Sequence, residues 1–386
     1  MSEGMPEGWE VKKLGSFLKL TSGKSKPQKQ QSKYNCKNQI PVFGGNGITG
    51  YCEIPLLTNK TIIIGRVGEY CGCIHSSSDL VWVTDNALYI KSIKAEHNIN
   101  FIFYLLVFSR IDRLRNKSGQ PLVSQEPIYD LVVNIPPLPE QKKIAKILTS
   151  VDEVIETTEN QINKLKELKK GMMNELLTKG IGHTEFKDSA VGMIPVEWKS
   201  CKLGEICKFT QGTQVSATDM VRYHEKGYVR YLYIRDFTRD DKLWYVEDIY
   251  PQKYVSINDI VMANTGHTSG TVYKGKHGVL SNNAFKISFN LNTLDTNFLY
   301  LFLQSDFFCN KIKQLFNSAG QPHVGHGNIA KMPMVLPAIT EQQNIANTLT
   351  SINNNIEQKQ TKLTQTKNLK KSLMADLLTG RVRVKP

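Results

Sequence analysis

The sequence has no long hydrophobic segment. Its longest apolar run, FIFYLLVF at residues 101–108 of 386, is too short to span a bilayer. The first residues, MSEGMPEGWE, contain neither a basic stretch nor an apolar core and therefore predict no signal peptide. Its seven cysteines lack the spacing of a disulfide framework, which is typical of a reducing compartment. We therefore expect a cytoplasmic protein that makes no contact with a membrane.

Candidate metal ligands are few, and no basic arm stands out. Cys71, Cys73 and His75 have a C-x-C spacing without a second ligand cluster, so a thiol within the fold is favoured over a metal site. The net charge of +14 and the pI of about 9.3 indicate an anionic partner such as nucleic acid. Because this charge is spread over the whole chain, it does not identify a binding segment.

What the sequence does contain is an internal repeat. PPLPEQKKIAKILTSVDEVIE, residues 136–156, returns 201 residues later as PAITEQQNIANTLTSINNNIE. MPEGWEVKKLGSFLKLTSG, residues 5–23, returns 189 residues later as IPVEWKSCKLGEICKFTQG. The two offsets differ by 12, so the second copy has about a dozen extra residues in its interior. The chain therefore predicts two copies of one scaffold with different interiors.

Each copy closes with a long helical stripe of apolar residues. The stripe runs from Ile144 to Leu176 in the first copy and from Ile345 to Leu377 in the second, at spacings of three, four or seven. Such spacing over about five heptads predicts a coiled-coil helix. Since both helices lie in one chain, we favour an intramolecular antiparallel pair over an intermolecular coiled coil.

The parts before the helices mix short β-rich runs, such as TIIIGRV and LVWVT, with an amphipathic helix near Phe101–Leu114. The predicted fold class is α+β, with two α/β domains in a pseudo-twofold arrangement separated by two long antiparallel coiled-coil helices. The predicted boundaries are 1–139, 140–182, 183–338 and 339–386. A stiff helical spacer between two domains suits two half-sites on duplex DNA.

These features resemble the specificity subunit of type I restriction–modification systems over essentially the whole chain. The resemblance rests on the two proline–glutamate–glutamine helix starts, the two LLT helix ends and HTEFKDS at residues 183–189. It implies two target-recognition domains, each reading half of a split double-stranded DNA sequence in the major groove. It also implies helices that act as a ruler and as the docking surface for two methyltransferase subunits.

The resemblance further implies that restriction–translocase subunits complete the complex. S-adenosylmethionine, ATP and Mg²⁺ would belong to these partners, and the chain itself would carry no active site. Self-association through the outer faces of the helices stays open.

One stretch, PVFGGNGITGYCEI at residues 41–54, fits both a methyl-donor loop and the dinucleotide fingerprint G-x-G-x-x-G. Either function requires a helix after the glycines, to meet phosphate or carboxylate. The next residues, YCEIPLL, have no helical periodicity, and the corresponding YLYIRDFTRDDKLWYV of the second copy has no glycine. We interpret the stretch as a recognition loop in which the backbone turns tightly or passes close to DNA.

Two rival functions are weaker. A self-sufficient DNA adenine methyltransferase needs an Asn-Pro-Pro-Tyr tetrad, from which NIPPLP at residues 134–139 departs through Ile135 and Leu138. A coiled-coil adaptor without a nucleic-acid role would be expected to keep its two heads alike. SGKS lacks the first glycine of a P-loop, and Glu197 of a nuclease-like EWK has no counterpart in the first copy.

Candidate DNA-binding residues lie mainly in the divergent interiors, where polar and basic side chains on loops can reach bases and phosphates. The candidates of the first copy are Lys24, Lys26, Lys29, Asn46, Tyr51 and Arg66. Those of the second copy are Gln214, Arg222, Arg235, Asp236, Asn264 and His267. The shared SGQP/AGQP loop adds Ser118, Gln120, Gln321 and His323, which we expect to position phosphate or brace the fold. The alternatives are solvated lysines and an internal Arg235–Asp236 ion pair.

Overall fold

The computed structural model describes residues 6–116, 119–315 and 323–384. The chain divides into two compact units, which we call unit 1 (Met1–Asn160 with Thr361–Pro386) and unit 2 (Gln161–Gln360). Among the described residues, none of the helices combines the length and the apolarity that a bilayer crossing requires.

The described residues of unit 1 form nine strands, two short α-helices and parts of both long helices. The strands are β1 Glu10–Lys13, β2 Leu18–Ser22, β3 Ile40–Gly44, β4 Gly47–Cys52, β5 Ile62–Gly65, β6 Ile74–Ser76, β7 Trp82–Val83, β8 Ala87–Ile93 and β9 Val132–Ile135. The helices are α1 Ile99–Phe108, α2 Gln125–Tyr129 and the long α3 Leu138–Lys179. The helix expected near residues 101–114 ends at Phe108 because Arg110 adopts a left-handed conformation, φ 53°, and a short 3₁₀ turn follows.

The strands of unit 1 form one mainly antiparallel frame. β2, β8, β5 and β6 make a four-stranded sheet in that order, and β1 pairs with β9. A smaller sheet has the order β4-β3-β7, in which β3 and β7 run parallel. The largest core cluster of the unit lies between the four-stranded sheet, α1 and the long helices, and includes Leu18, Ile64, Phe101 and Leu105.

Within its described part, unit 2 has twelve strands, four short α-helices and parts of both long helices. The strands are β10 Phe186–Lys187, β11 Ile194–Pro195, β12 Lys199–Lys202, β13 Cys207–Gln211, β14 Tyr228–Leu232, β15 Tyr245–Glu247, β16 Tyr254–Val255, β17 Ile260–Ala263, β18 Val272–Lys274, β19 Gly278–Leu280, β20 Ala284–Phe289 and β21 Pro333–Leu336. The helices are α4 Leu203–Ile206, α5 Thr296–Phe302, α6 Asp306–Leu315, α7 His326–Ala330 and the long α8 Ile339–Thr379.

Unit 2 repeats the strand order of unit 1. β13, β20, β17 and β18 stand where β2, β8, β5 and β6 stand, and β12 pairs with β21 as β1 does with β9. The smaller sheet again contains a parallel pair, β14 with β19, beside an antiparallel pair, β14 with β15. The duplication that the sequence predicts is therefore confirmed at the level of sheet topology.

The two long helices pack against each other within each unit. In unit 1, Ile144 and Leu148 of α3 share a core with Met374 and Leu377 of α8. In unit 2, Met173 and Leu177 of α3 share a core with Ile345 and Leu349 of α8. Positions late in one helix meet positions early in the other, so the packed segments run antiparallel. The predicted α+β class with two packed long helices is confirmed.

A glutamate near the start of each long helix, buried for Glu140 and half-buried for Glu341, contacts the segment that follows the end of the other long helix. In unit 1, Glu140 accepts hydrogen bonds from Trp9 Nε1 at 3.1 Å and from Arg383 Nε and Nη2 at 2.9 and 3.0 Å. In unit 2, Glu341 accepts from Trp198 Nε1 at 2.9 Å and from the backbone N–H of Ile181 at 3.0 Å. We call these two clusters glutamate junctions.

The glutamate junctions require the glycines that end the long helices. Gly180 and Gly380 have φ of +67° and +77°, in the left-handed region that favours glycine at helix ends. A Cβ on Gly180 would lie 2.4 Å from Glu341 Oε1, and a Cβ on Gly380 would lie 2.6 Å from Pro6 Cγ. The predicted helix stops at KGIG and GRVRV are thus explained by backbone conformation and by close packing.

Candidate nucleic-acid interface

The glycine-rich stretch of unit 1 is a β-hairpin. β3 and β4 are antiparallel and are joined by Gly45 and Asn46 alone, with Gly47 at φ +92°. A Cβ on Gly45 would lie 2.5 Å from the carbonyl oxygen of Val67, and one on Gly65 would lie 2.1 Å from the carbonyl oxygen of Gly45. Because a strand follows the glycines, this stretch lacks the helix N-terminus of a phosphate-binding fingerprint. The tight turn agrees with the interpretation from the sequence, and the close approach is to the protein's own backbone at Val67.

The corresponding hairpin of unit 2 has a much longer connection. β14 and β15 are joined by residues 233–244, which include a 3₁₀ turn at Ile234–Phe237. We call residues 45–46 tip 1 and residues 233–244 tip 2. Part of the extra length predicted for the second copy therefore lies at this tip. Asn46, the exposed candidate at tip 1, thus has a whole loop as its counterpart.

Arg235 and Asp236 of tip 2 have different environments. The Arg235 guanidinium lies 5.0 Å from the ring centroid of Tyr233, and its side chain is 42 % exposed. The Asp236 side chain is 1 % exposed, and its Oδ2 accepts the backbone N–H of Tyr233 at 2.8 Å. Arg235 Nε is also 3.6 Å from Asp236 Oδ1. In this conformation the Asp236 carboxylate stabilises the turn and orients the Arg235 side chain. Of these two side chains, only that of Arg235 is accessible to solvent.

Two further candidates of unit 2 are held by neighbouring side chains. The guanidinium of exposed Arg222 lies 3.5 Å from the ring centroid of Trp244, a cation–π contact that holds it flat. Exposed Gln214 accepts a hydrogen bond from Asn282 Nδ2 at 3.3 Å. Both side chains are ordered by a neighbour and still reach solvent, which reduces the conformational entropy that a contact with DNA would cost.

A charged cluster at tip 2 was not predicted from the sequence. Asp240 lies within ion-pair distance of Arg230 and is 3.1 Å from Lys276 Nζ, which also donates to the carbonyl oxygen of Asp236. Hydrogen bonds from Arg230 and then Lys276 hold the pKa of Asp240 below its usual range. These residues lie on three separate segments, so no sequence spacing could have indicated that they meet.

The three candidate lysines of unit 1 are brought together. Lys24, Lys26 and Lys29 are exposed and line one groove of about 1030 Å³ in the connection between β2 and β3. Trp82 lies in the same groove and donates its indole N–H to the carbonyl oxygen of Ser25 at 3.1 Å. From the sequence, Trp82 was predicted only as part of a strand. The lining also has two carboxylates, and three lysines beside an aromatic side chain are typical of surfaces that contact nucleic acid.

The shared loop meets equivalent backbone positions in the two units. The N–H of Val123 donates to the carbonyl oxygen of Arg66 at 2.8 Å in unit 1, and that of Val324 donates to the carbonyl oxygen of Asn264 at 2.9 Å in unit 2. The Arg66 side chain is half-buried and donates to Ser22 Oγ at 3.0 Å. Asn264 is buried, and its Nδ2 reaches the carbonyl oxygen of Asn282 at 3.4 Å.

The other candidates are dispersed. Half-buried Tyr51 packs edge-on against Tyr34, with ring centroids 5.7 Å apart. Gln120 is exposed, and exposed His323 pairs with Thr265 in a β-bridge. His267 is exposed on the turn Gly266–Thr268. Ser118 and Gln321 lie outside the described residues.

The model of the type I restriction modification DNA specificity domain matches residues 6–167 and 195–368. The MjaVIII specificity subunit of Methanocaldococcus jannaschii is 30 % identical over 409 aligned residues, which cover 99 % of this chain and 94 % of that protein. The EcoprrI specificity subunit of Escherichia coli is 28 % identical over 41 % of this chain and 38 % of its own length.

The fold has solved counterparts as well. The S subunit of the type I restriction–modification system of M. genitalium has a TM-score of 0.68 at 15 % identity, covering 98 % of this chain and 97 % of that one. A chain from a study of assembly and conformational transition of the type I system has a TM-score of 0.57 at 13 % identity, covering 98 % and 100 %. The chain belongs to the family of type I restriction–modification specificity subunits, the non-catalytic chains that determine the DNA target of their complexes.

Proposed function

We propose that this chain recognises a bipartite DNA target, with residues 1–139 and 183–338 each reading one half. Residues 140–182 and 339–386 would act as a ruler between the halves. The observation that carries this proposal is the pairing of one strand frame with two unlike tips, two residues long in unit 1 and twelve in unit 2. A shared frame can dock two heads in the same way, while unlike tips read different bases.

The residues proposed to contact DNA are those whose side chains are exposed and, in unit 2, held in place by a neighbouring side chain. In unit 1, the groove of Lys24, Lys26 and Lys29 would hold phosphates, while Asn46 and Tyr51 lie on the hairpin that would approach base edges. In unit 2, Arg222 and Arg235 would contact bases, since arginine is suited to guanine edges in the major groove.

The remaining candidates are either exposed residues that could contact DNA or buried residues that could position others. Gln214, Gln120, His267 and His323 are exposed and stay proposed DNA contacts. Ser118 and Gln321 stay proposals from sequence alone. Arg66, Asp236 and Asn264 are half-buried or buried, and we propose that they position the exposed residues around them.

The long helices would bind the partner subunits. Both α3 and α8 keep an exposed polar face beyond their packed stripe, which would dock two methyltransferase subunits. Restriction–translocase subunits would complete the complex in the cytoplasm. S-adenosylmethionine, ATP and Mg²⁺ would be bound by those partners.

Mapping of methylated adenines across the host genome, with and without this gene, tests the proposal. We expect the deletion strain to lose methylation at a split motif, two short specific halves around a fixed gap. A chimera that carries another family member's residues 1–139 should then change one half alone. Loss of a continuous motif, or a chimera that changes both halves together, would contradict the two-headed reading.

A further inference from the structure

A charged cluster joins α1 to both long helices in unit 1. Lys370 of α8 forms an ion pair with Asp152 of α3. The hydroxyl of Tyr104 donates to Asp152 Oδ2 at 2.8 Å, and the Lys370 ammonium lies 5.4 Å from the Tyr104 ring centroid. The lysine is thus neutralised by a carboxylate and covered by an aromatic ring.

Unit 2 keeps the lysine of this cluster and loses its partners. The 201-residue offset places Lys169 at the position of Lys370, and Asn353 at the position of Asp152. The N-caps Asn98 and Asp295 align α1 with α5, which places Leu301 at the position of Tyr104. This register is independently supported, because Gln141 and Gln342 accept the backbone N–H of these two N-caps at 2.8 and 2.9 Å.

The lost partners leave a pocket with a largely apolar surface and several polar side chains in its lining. It has a volume of about 350 Å³ and is lined by Lys166, Lys169, Asn174, Gln304 and Asn353 above an apolar base. Lys169 makes no hydrogen bond or ion pair with any residue in the described ranges, and burial lowers the pKa of its ammonium.

The charges around the pocket do not neutralise Lys169. Among the described residues of the lining, the one carboxylate is that of Asp306, which lies 3.4 Å from Lys170 Nζ and forms an ion pair with that lysine. Lys166 adds a further positive charge, and the amide N–H groups of Asn353 and Gln304 are additional donors. A half-buried cation without a counter-ion is unfavourable, and an added anion would relieve that cost.

We propose that this pocket binds one anionic oxygen group, a carboxylate or a phosphate, which replaces the carboxylate that Asp152 supplies in unit 1. Lys169 would provide the charge, Lys166 would add to it, and Asn353 and Gln304 would donate hydrogen bonds. The group could come from a free anion or from an acidic side chain of a methyltransferase subunit, and only this second source rests on the proposed function.

Thermal unfolding of the full chain tests the pocket, with inorganic phosphate or acetate replacing chloride at constant ionic strength. We expect saturable stabilisation of about 3 °C near tenfold excess over Kd. Lys169→Met should abolish the response. Asn353→Asp should raise the unfolding temperature without added anion and also remove the response. Lys371→Met, at an exposed lysine of α8, should keep it. A response that survives Lys169→Met, or no wild-type response to either anion, would overturn the proposal.

Association with purified methyltransferase subunits separates the two sources. If a partner carboxylate occupies the pocket, phosphate and Asn353→Asp should each weaken association several-fold. If a free anion occupies it, both should leave association unchanged while the stabilisation remains. If the chain directs methylation to a split motif but shows no anion response, the anion-binding proposal fails and the proposed function stands. If the chain shows the anion response but does not direct methylation, the proposed function fails and the anion-binding proposal stands.

Discussion

Unit 1 and unit 2 have the same sheet topology and differ in the loops that connect their strands. The sheet orders β2-β8-β5-β6 and β13-β20-β17-β18 match strand for strand, and both units anchor a tryptophan on a helix-starting glutamate. Their tips have the same position and different content. Each tip joins two corresponding antiparallel strands, but one is Gly45-Asn46 and the other spans residues 233–244. Backbone hydrogen bonds preserve the frame, so sequence can diverge where the chain makes few of them.

The largest effect should come from removing this difference at the tips. Replacing residues 233–244 with Asn-Gly, a favoured two-residue hairpin turn, would give unit 2 a tip as short as that of unit 1. We expect discrimination at one half-site to fall on the order of 100-fold or more, since several base contacts are lost together. Binding of the assembled complex to duplexes altered in either half measures this effect.

The other half-site is the internal control for that replacement, and thermal unfolding checks that unit 2 still folds. Equal losses at both halves would show that tip 2 does not read a separate half.

A second comparison concerns the glutamate junctions. Glu140 is 1 % exposed, and Glu140→Ala would leave Trp9 and Arg383 without their acceptor, lowering the free energy of unfolding by about 2–3 kcal/mol. Glu341 is 17 % exposed, so water can replace part of its role, and Glu341→Ala should cost about 1–2 kcal/mol. Urea unfolding followed by tryptophan fluorescence measures both, and equal costs would contradict the ranking.

The glutamate junction of unit 1 predicts that the stability of the protein depends on pH. Burial alone would raise the pKa of Glu140, but hydrogen bonds from Arg383, the Val384 N–H and Trp9 outweigh it and lower the pKa overall. The resulting stability is present above the pKa of the carboxyl in the unfolded chain and is lost as pH falls through the lowered pKa of the folded state. The stability advantage of wild type over Glu140→Gln should therefore shrink in acid. An advantage that grows in acid would contradict this assignment.

The smallest effect should come from a single side chain of tip 2. Arg235→Ala should weaken binding at one half-site by about 1 kcal/mol, the lower end for a base contact, because its guanidinium is shared with Asp236. Titration of the complex with matched duplexes measures the change. Lys331→Ala, at an exposed lysine of the same unit, is the control and should change neither half. If binding weakened equally at both half-sites, Arg235 would not be a residue that reads one half of the target.

Much of the frame could be predicted from the sequence because the repeat exposes it. The stripe from Ile144 onward identified the long helices, and the glycines after them marked their ends. The lack of helical periodicity after Gly50 argued against a cofactor loop, and β4, which begins at Gly47 and ends at Cys52, takes the place of the helix that such a loop requires. These features depend on local periodicity and turn chemistry, which a sequence displays directly.

The environment of individual candidates could not be predicted in the same way. Asp236 and Arg235 are neighbours in sequence, yet one caps a turn while the other faces solvent. The cluster of Arg230, Asp240 and Lys276 forms only when three segments meet. Which side of a loop a polar residue takes depends on tertiary packing, and tertiary packing leaves no periodic trace in the chain.

The discontinuity of unit 1 has a consequence for synthesis on the ribosome. Unit 2 is one continuous segment, whereas unit 1 needs residues from 361 onward, and the contact of Glu140 with Arg383 spans 243 residues. At about 5–20 residues per second, the last part of unit 1 emerges roughly 10–40 s after its first part. The unit that is translated first is therefore completed last. Until α8 arrives, Ile144 and Leu148 lack the Leu377 side of their core, and the nascent chain presents this apolar strip to chaperones.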